Sequence, residues 1–398
     1  MTNPTDNTPS ARDAASVGRG TNQGGMRESN ERVVLTLLRR QSDMAKADIA
    51  RSTGLSAQTV ARLIGSLEAD GLIVRGTPQK GRIGQPSVPL SLNPDGAVFL
   101  GMKVGRRSVE MIATDFMGQI IGREKEIYDY PDFDAVLRFA TQTAAALKAH
   151  LPAPLRTRIA GMGIAMPFFL WSWAEQIGVD QSQMADWQHR DLQAEVATAL
   201  DLPVFLQNDA TSACSAELVF GTHPLPRNAL CFYIAFFVGG GLVLNNALFT
   251  GTTGNAAGLG PLHVPDQAGV PRPLIELASL ATLEAAMEAR GQARRKMWDT
   301  PERWDVPQDL LNTWVDSCAP ALAHAIRSVQ TILDLEMVLI DGWLPRDLCL
   351  TVTQRVQREL AAFSMTGMHR PEVRHGSLGA DARVLGAASL PLSRRFLV

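Results

Sequence analysis

From Ala97 onward the chain alternates short β-branched and apolar runs with longer helical segments, which restricts it to an α/β fold whose sheets are covered by helices. VFLGMKV, SVEMIATD and RIAGMGIAM read as strands, with a helix from about Asp132 to His150 before the third. LPVFLQND (202–209), ALCFYIAFF (229–237), GLVLNNALF (241–249) and MVLIDGW (337–343) extend the series. Two α/β lobes fit this length.

The segment ahead of Asp95 has a helical period instead. Val33, Val34, Leu37 and Leu38 recur at helical spacing, predicting a first helix over Asn30 to Arg40. A second runs from Lys46 to Thr53 and stops at Gly54, since glycine takes a left-handed cap without steric cost. Ile49 and Leu55 are expected to face inward. Ser56 is a suitable N-cap for a third helix to about Asp70, whose Val60, Leu63, Ile64 and Leu67 make one apolar stripe.

Helix, short helix, glycine turn and helix is the helix-turn-helix arrangement, in which the N-terminal half of the last helix enters the major groove. Ser56, Gln58, Thr59 and Arg62 are then the candidate DNA contacts, because Gln pairs bidentately with adenine, Arg with guanine, and the Thr methyl meets a thymine methyl. The runs over residues 72–75 and 87–92 read as strands flanking a wing, where Lys80, Arg82 and Gln85 are placed to reach phosphates or a minor groove. Net charge over the whole chain is −2, yet Arg27 to Asp95 carries ten Lys or Arg against seven Asp or Glu. This local excess suits phosphate binding. The plainer reading of the same segment is a three-helix protein-interaction module.

Composition excludes several classes. With 45% hydrophobic and 20% charged residues the chain is globular, and no apolar run approaches the roughly 20 residues of a membrane span. Met1 to about Gly25 has almost no large apolar side chain and reads as a disordered tail of a cytoplasmic protein, not a secretory signal. Cys214, Cys231, Cys318 and Cys349 are scattered without a Cys-x-x-Cys pair, so neither a disulfide framework nor a cysteine zinc site is expected.

The stretches GRIGQPSVPLSLNPDG, GMGIAMP (161–167), LPVFLQNDATSACSAELVFG, GGGLVLNNALFTGTTGNAAGLGPLH and LGADARVLGAA together resemble the ROK family, which groups sugar-responsive repressors with bacterial sugar kinases. The resemblance runs from about Asn30 to the end. It implies an α/β fold with an N-terminal winged helix-turn-helix followed by a two-lobed actin-like (sugar kinase/Hsp70-type) domain. The expected boundaries are a tail over 1–25, the winged helix over 26–95, a first lobe of 96–207 with 376–398, and a second lobe of 208–375.

The resemblance also places a hexose-sized ligand between the lobes. Asn208 and Asp209 match the family's Asn-Asp pair that contacts sugar hydroxyls, the aspartate serving as general base in the kinases. An ionised Asp accepts hydrogen bonds from a hydroxyl whether or not it takes the proton. His263 matches the family's histidine and reads as a sugar contact or as a plain hydrogen-bonding residue. Glu276 lies where the family has a second sugar-binding carboxylate. Asn255 offers an amide to a hydroxyl or serves as an ordinary turn residue. Trp171, Trp173 and Trp187 supply aromatic faces for a sugar ring or for the core.

Departures from the kinases are equally informative. Where they have Asp-x-Gly-Gly-Thr this chain has Lys103-Val104-Gly105-Arg106-Arg107, and where they have Gly-Thr-Gly it has Ala235-Phe236-Phe237-Val238. Phosphoryl transfer needs close backbone approach to the phosphates and a metal-holding carboxylate, and both are altered. The family's cysteine-rich zinc segment is missing between His263 and Glu276, and Gly258-Leu259-Gly260-Pro261-Leu262-His263 lacks the usual glutamate. No catalytic residue, metal or cofactor is therefore expected. The leading expectation is a sugar-responsive regulator, most readily a repressor, that binds operator double-stranded DNA as a homodimer or dimer of dimers, takes a small sugar or sugar derivative as effector, and has no membrane partner. Two alternatives stay open: a working kinase with an added DNA-binding head, in which Arg106 and Arg107 grip phosphate, and a regulator that senses no sugar.

Overall fold

A computed structural model of the chain describes residues 23–78, 88–293 and 295–398. Helix α1 spans Gln23–Arg40, α2 spans Lys46–Thr53 and α3 spans Ala57–Ala69. The first begins seven residues ahead of the expected Asn30, inside the stretch read as tail. The extra turns are held by one contact within the helix and one from outside: Arg27 pairs with Glu31 at 2.9 Å and donates to Ser66 Oγ on α3 at 2.5 Å. Gly54 caps α2 with φ 71°. Ser56 Oγ accepts from the Thr59 amide at 3.1 Å, satisfying one of the otherwise unpaired donors at the start of α3. Val60, Leu63, Ile64 and Leu67 are buried, as the stripe predicts, and Leu55 is half-buried. Strands β1 (Ile73–Arg75) and β2 (Leu90–Leu92) pair antiparallel, Ile73 opposite Leu92, and complete the winged-helix core.

Strands β3 (Val98–Val104), β4 (Ser108–Thr114), β5 (Ile120–Ile127), β6 (Ile159–Met166) and β7 (Val204–Asn208) form the first large sheet in the order β5-β4-β3-β6-β7. Helices α4 (Phe133–His150) and α5 (Leu192–Leu200) pack together on one side of it. Helix α6 (Asp209–Phe220) leads into the second lobe, whose strands are β8 (Ala229–Ile234), β9 (Val238–Leu244), β10 (Ala247–Phe249), β13 (Met337–Gly342) and β14 (Glu372–His375). Their order is β10-β9-β8-β13-β14. Both sheets repeat one pattern: an antiparallel three-strand meander whose first strand also pairs parallel with the fourth. A small hairpin, β11 (His263–Pro265) with β12 (Pro271–Pro273), and helices α7 (Gln308–Leu333), α8 (Arg346–Ala362) and α9 (Ala382–Phe396) complete the body.

GLVLNNALF is not one strand. Asn245 and Asn246 have φ of 54° and 65°, and the positive pair turns β9 back into β10. β5 was not anticipated, because REKE carries an exposed polar face in place of the apolar run that marks a buried strand.

The two sheets exchange helices. α6 follows β7 of the first sheet yet packs on β8 and β9 of the second, whereas α9 follows β14 of the second and packs on β3 and β6 of the first. They lie side by side and run in the same direction: Asp209 meets Arg383 at 3.1 Å, Gly386 meets the Ser212 backbone, and Ser215 Oγ meets Ser389 Oγ at 2.9 Å. A Cβ on Gly386 would stand 1.8 Å from the Ser212 carbonyl oxygen, which no small adjustment relieves. By contrast, a Cβ on Gly65, in the middle of α3, meets nothing within 4 Å. Gly386→Ala is therefore expected to lower stability in urea titration by about 1–3 kcal/mol or more through overpacking, and Gly65→Ala to raise it by roughly 0.5–1 kcal/mol through reduced backbone entropy.

Candidate functional site

The outward face of α3 consists of Gln58 and Arg62 with Ala57, Ala61 and Gly65 beside them, all exposed. These small residues let the helix approach a groove floor closely, and only the folded face shows them grouped. Thr59 is half-buried and its hydroxyl lies 2.9 Å from Ser56 Oγ, so both hydroxyls serve the helix cap. Lys80, Arg82 and Gln85 fall outside the described residues.

The head is not a bead on a string. Its core residues Leu38, Leu67, Ile73 and Leu92 belong to one apolar cluster with Phe99, Phe116, Phe396 and Leu397 of the body. Three of those phenylalanines pack on one another, with centroids 5.1 to 6.2 Å apart. Polar contacts seal the joint. Arg32 donates to the Leu397 carbonyl at 2.5 Å, and Arg158 reaches the Asp70 and Gly96 carbonyls at 3.1 and 2.9 Å. Arg39 donates to the Phe116 carbonyl, and its guanidinium lies over the Phe116 and Phe220 rings at 5.5 and 5.7 Å. Burial pulls the Arg39 pKa down to about 10, against the pull of Asp115.

Between the lobes the β3–β4 and β8–β9 turns face each other. The Arg106 guanidinium lies 4.4 Å from the Phe237 ring centre and 5.9 Å from that of Phe236, so the two turns close on an arginine–phenylalanine contact. Beside it is a cavity of about 280 Å³, lined among others by Lys103, Arg106, Lys125, Trp298, Trp343 and Arg383. Lys103 is 2% exposed and sits 3.4 Å from Glu110. Burial, helped by the nearby Arg383 charge, lowers its pKa to about 8.

None of the five residues expected to hold a sugar lines this cavity. Asn208 Oδ1 caps α6, accepting from the Ala210 and Thr211 amides at 3.0 and 3.2 Å. Asp209 is joined to the cavity through its ion pair with Arg383. Asn255 is exposed in a turn, and His263, also exposed, opens β11 with Nδ1 3.1 Å from the Pro261 carbonyl. Glu276 is exposed and 3.5 Å from Arg272. The tryptophans at the cleft are Trp298 and Trp343. Trp187, one of the three expected, is buried with Nε1 donating to the Pro131 carbonyl at 2.7 Å.

The ROK family model matches residues 99–394. The chain belongs to the ROK family. Ahead of its ROK domain, the MarR family model matches residues 30–83, so the architecture is a MarR-type winged helix followed by a two-lobed actin-like ROK domain. An uncharacterised protein of Sinorhizobium fredii, y4fQ, is 27% identical over 375 residues, 92% of this chain and 91% of that protein. The xylose repressor of Bacillus subtilis is 22% identical over 247 residues, 60% of this chain and 61% of the repressor. A solved ROK family transcriptional regulator, a homologue of the E. coli MLC protein, has the same fold with a TM-score of 0.67 at 21% identity, over 92% of this chain and 96% of its own.

Between His263 and Pro273 the ROK domain has the β11–β12 hairpin. Asp266 Oδ1 accepts from the Ala268 and Val270 amides, each at 2.9 Å, and its other oxygen faces Arg272 at 3.3 Å. Backbone hydrogen bonds thus close the loop. None of the described helices is long and apolar enough to cross a membrane.

Two carboxylates fasten the lead-in to α9. Glu217 on α6 accepts from the Ser377 and Leu378 amides at 2.6 and 3.0 Å, and Asp341 at the end of β13 accepts from Gly379 at 2.8 Å. Burial, with the neighbouring Glu217 charge, pushes the Asp341 pKa up from 3.8 to about 7. Between those values the folded chain holds a proton that the unfolded chain has released, so this group's contribution to stability falls as pH rises. Asp341→Asn removes that dependence: the stability of the variant relative to the parent, from urea midpoints, is expected to rise between pH 4 and pH 7. At the other site, Arg62→Ala is expected to weaken binding to the cognate operator about tenfold more than binding to random DNA in filter binding. Equal loss on both would make it a phosphate contact alone.

Proposed function

We propose that the protein is a sugar-responsive DNA-binding repressor whose ROK cleft senses its effector and performs no phosphoryl transfer. One observation carries this reading. α6 and α9 both begin at the cleft, at Asp209 and Arg383, and both end under the reading head, where Phe220 faces Arg39 while Ser393 and Leu397 meet Arg32. Any shift of one lobe against the other moves a helix that abuts α1. A ligand biases that shift only through different affinity for the two states, and a cleft whose walls belong to both lobes provides the difference. The name of the Bacillus subtilis relative and the MarR-type head point the same way.

The operator contacts in this reading are Gln58, Arg62 and the cap hydroxyls on α3, with Lys80, Arg82 and Gln85 on the wing. Asn208 and Asp209, with Asn255, His263 and Glu276, stay the proposed sugar contacts. A homodimer presents two heads to paired half-sites. Against a kinase stands the arginine–phenylalanine contact across the turns that would have to admit phosphates, so ATP turnover across a hexose panel is expected not to exceed background. Arg39→Ala is expected to leave operator affinity within about threefold in gel-shift titrations while abolishing release by the effector. Full release retained in this variant would show that coupling bypasses α1.

A further inference from the structure

A second cavity lies away from the cleft, where the head meets the body. It measures about 640 Å³, within the span of roughly 300–1,000 Å³ of small-molecule sites. Four elements wall it: α1 of the head, α6 and α9 of the body, and the β9–β10 hairpin of the second lobe. On α1 the lining residues Arg32, Thr36, Arg39 and Arg40 recur at helical spacing. This is the side of α1 that bonds to the body. Arg32 donates to the Leu397 carbonyl at 2.5 Å, the Val398 amide donates to Thr36 Oγ1 at 3.1 Å, and Arg39 donates to the Phe116 carbonyl. Arg394 on α9 adds a fourth arginine to the lining.

The charges do not balance. Against four arginines, two carboxylates line the cavity among the described residues, that of Glu217 and the terminal one of Val398. Glu217 is engaged by the Ser377 and Leu378 amides at 2.6 and 3.0 Å, and Asp115, outside the cavity, answers Arg39. Arg32 bonds to backbone carbonyls, and Arg40 and Arg394, both exposed, have no ion pair among the described residues. The Arg39 Nε is buried without a hydrogen-bond partner, and a buried donor lacking an acceptor is costly. Guanidinium forks match the oxygens of a carboxylate or a phosphate.

The rest of the lining is apolar. Leu218 on α6, Leu225 after it, Leu248 on β10 and Leu390 on α9 are each half-buried. The first three pack on the buried cluster around Cys214, Cys231 and Val243, which holds them in place. Arginines and fixed leucines in one cavity suit an occupant that has both an anionic and an apolar part.

We propose that this cavity is a second ligand site, for a small organic anion with an apolar body, its carboxylate or phosphate on Arg32, Arg40 and Arg394 and its body on the leucines. This goes beyond the reading of the cleft as the sensor and does not rest on it. Because α1 supplies one wall, an occupant touches the reading head directly, whereas a cleft ligand reaches it through α6 and α9.

Calorimetry on the full chain with hexanoate, hexyl phosphate, acetate and hexanol at one ionic strength tests this. Hexanoate or hexyl phosphate is expected to bind about tenfold or more tightly than acetate, which lacks the methylenes to bury, and than hexanol, which lacks the charge. Replacing both exposed arginines, Arg40→Ala with Arg394→Ala, is expected to weaken that binding about fivefold or more with Tm unmoved. Arg395→Ala, beside Arg394 but outside the cavity lining, is expected to leave it unchanged. Hexanol or acetate binding as tightly as the longer anions overturns the proposal, as does the absence of binding by all four. Full anion affinity in the double variant, or equal loss in Arg395→Ala, also overturns it. If the double variant, with no anion present, loses affinity for operator and random DNA alike, the arginines are DNA phosphate contacts and the proposal falls.

Discussion

The parallel packing of α6 against α9 is the contact on which the rest of the molecule depends. Each helix belongs by chain to one lobe and by packing to the other, so the two sheets cannot separate without breaking the pair. Its closest approach is backbone on backbone at Gly386 and Ser212, and a buried serine pair sits one turn further on. Interfaces packed this tightly have discrete arrangements and do not deform continuously. That property suits a device with two states.

The same packing gives Asp209, the residue that matches the kinases' general base, a place in the fold. Asp209 and Arg383 are both largely buried and joined at 3.1 Å. Removing either leaves an uncompensated charge at a cost of about 3–5 kcal/mol. Asp209 thus has a structural reason to remain, whatever it does for a ligand. Asn208 is likewise tied to the fold as the cap of α6.

How much was legible in the sequence follows from which interactions are local. The helix-turn-helix was readable because caps, the Gly54 stop and the apolar stripe of α3 are set by neighbours a few residues away. Most large strands were readable from their β-branched runs. β5 was missed because a polar edge strand has no apolar run, and the β9–β10 turn because Asn-Asn sits inside apolar residues. The cleft was the least legible. Trp298 and Trp343 are 45 residues apart in the chain, and only the fold stacks them. The motif-matched residues His263 and Glu276 lie at an exposed hairpin and the short helix Leu274–Ala278 after it, where Asp266 and its backbone partners close the loop between β11 and β12.

The apolar cluster shared by head and body bears on how such regulators diversify. Val34, Leu35 and Leu38 of α1 find part of their cover in Phe396 and Leu397, the last turn of the chain. Grafting this head onto another body would strip that cover unless the recipient's final helix were exchanged with it. The apolar face of α1 and the end of α9 that covers it are thus bound to change together, although they lie far apart in the sequence.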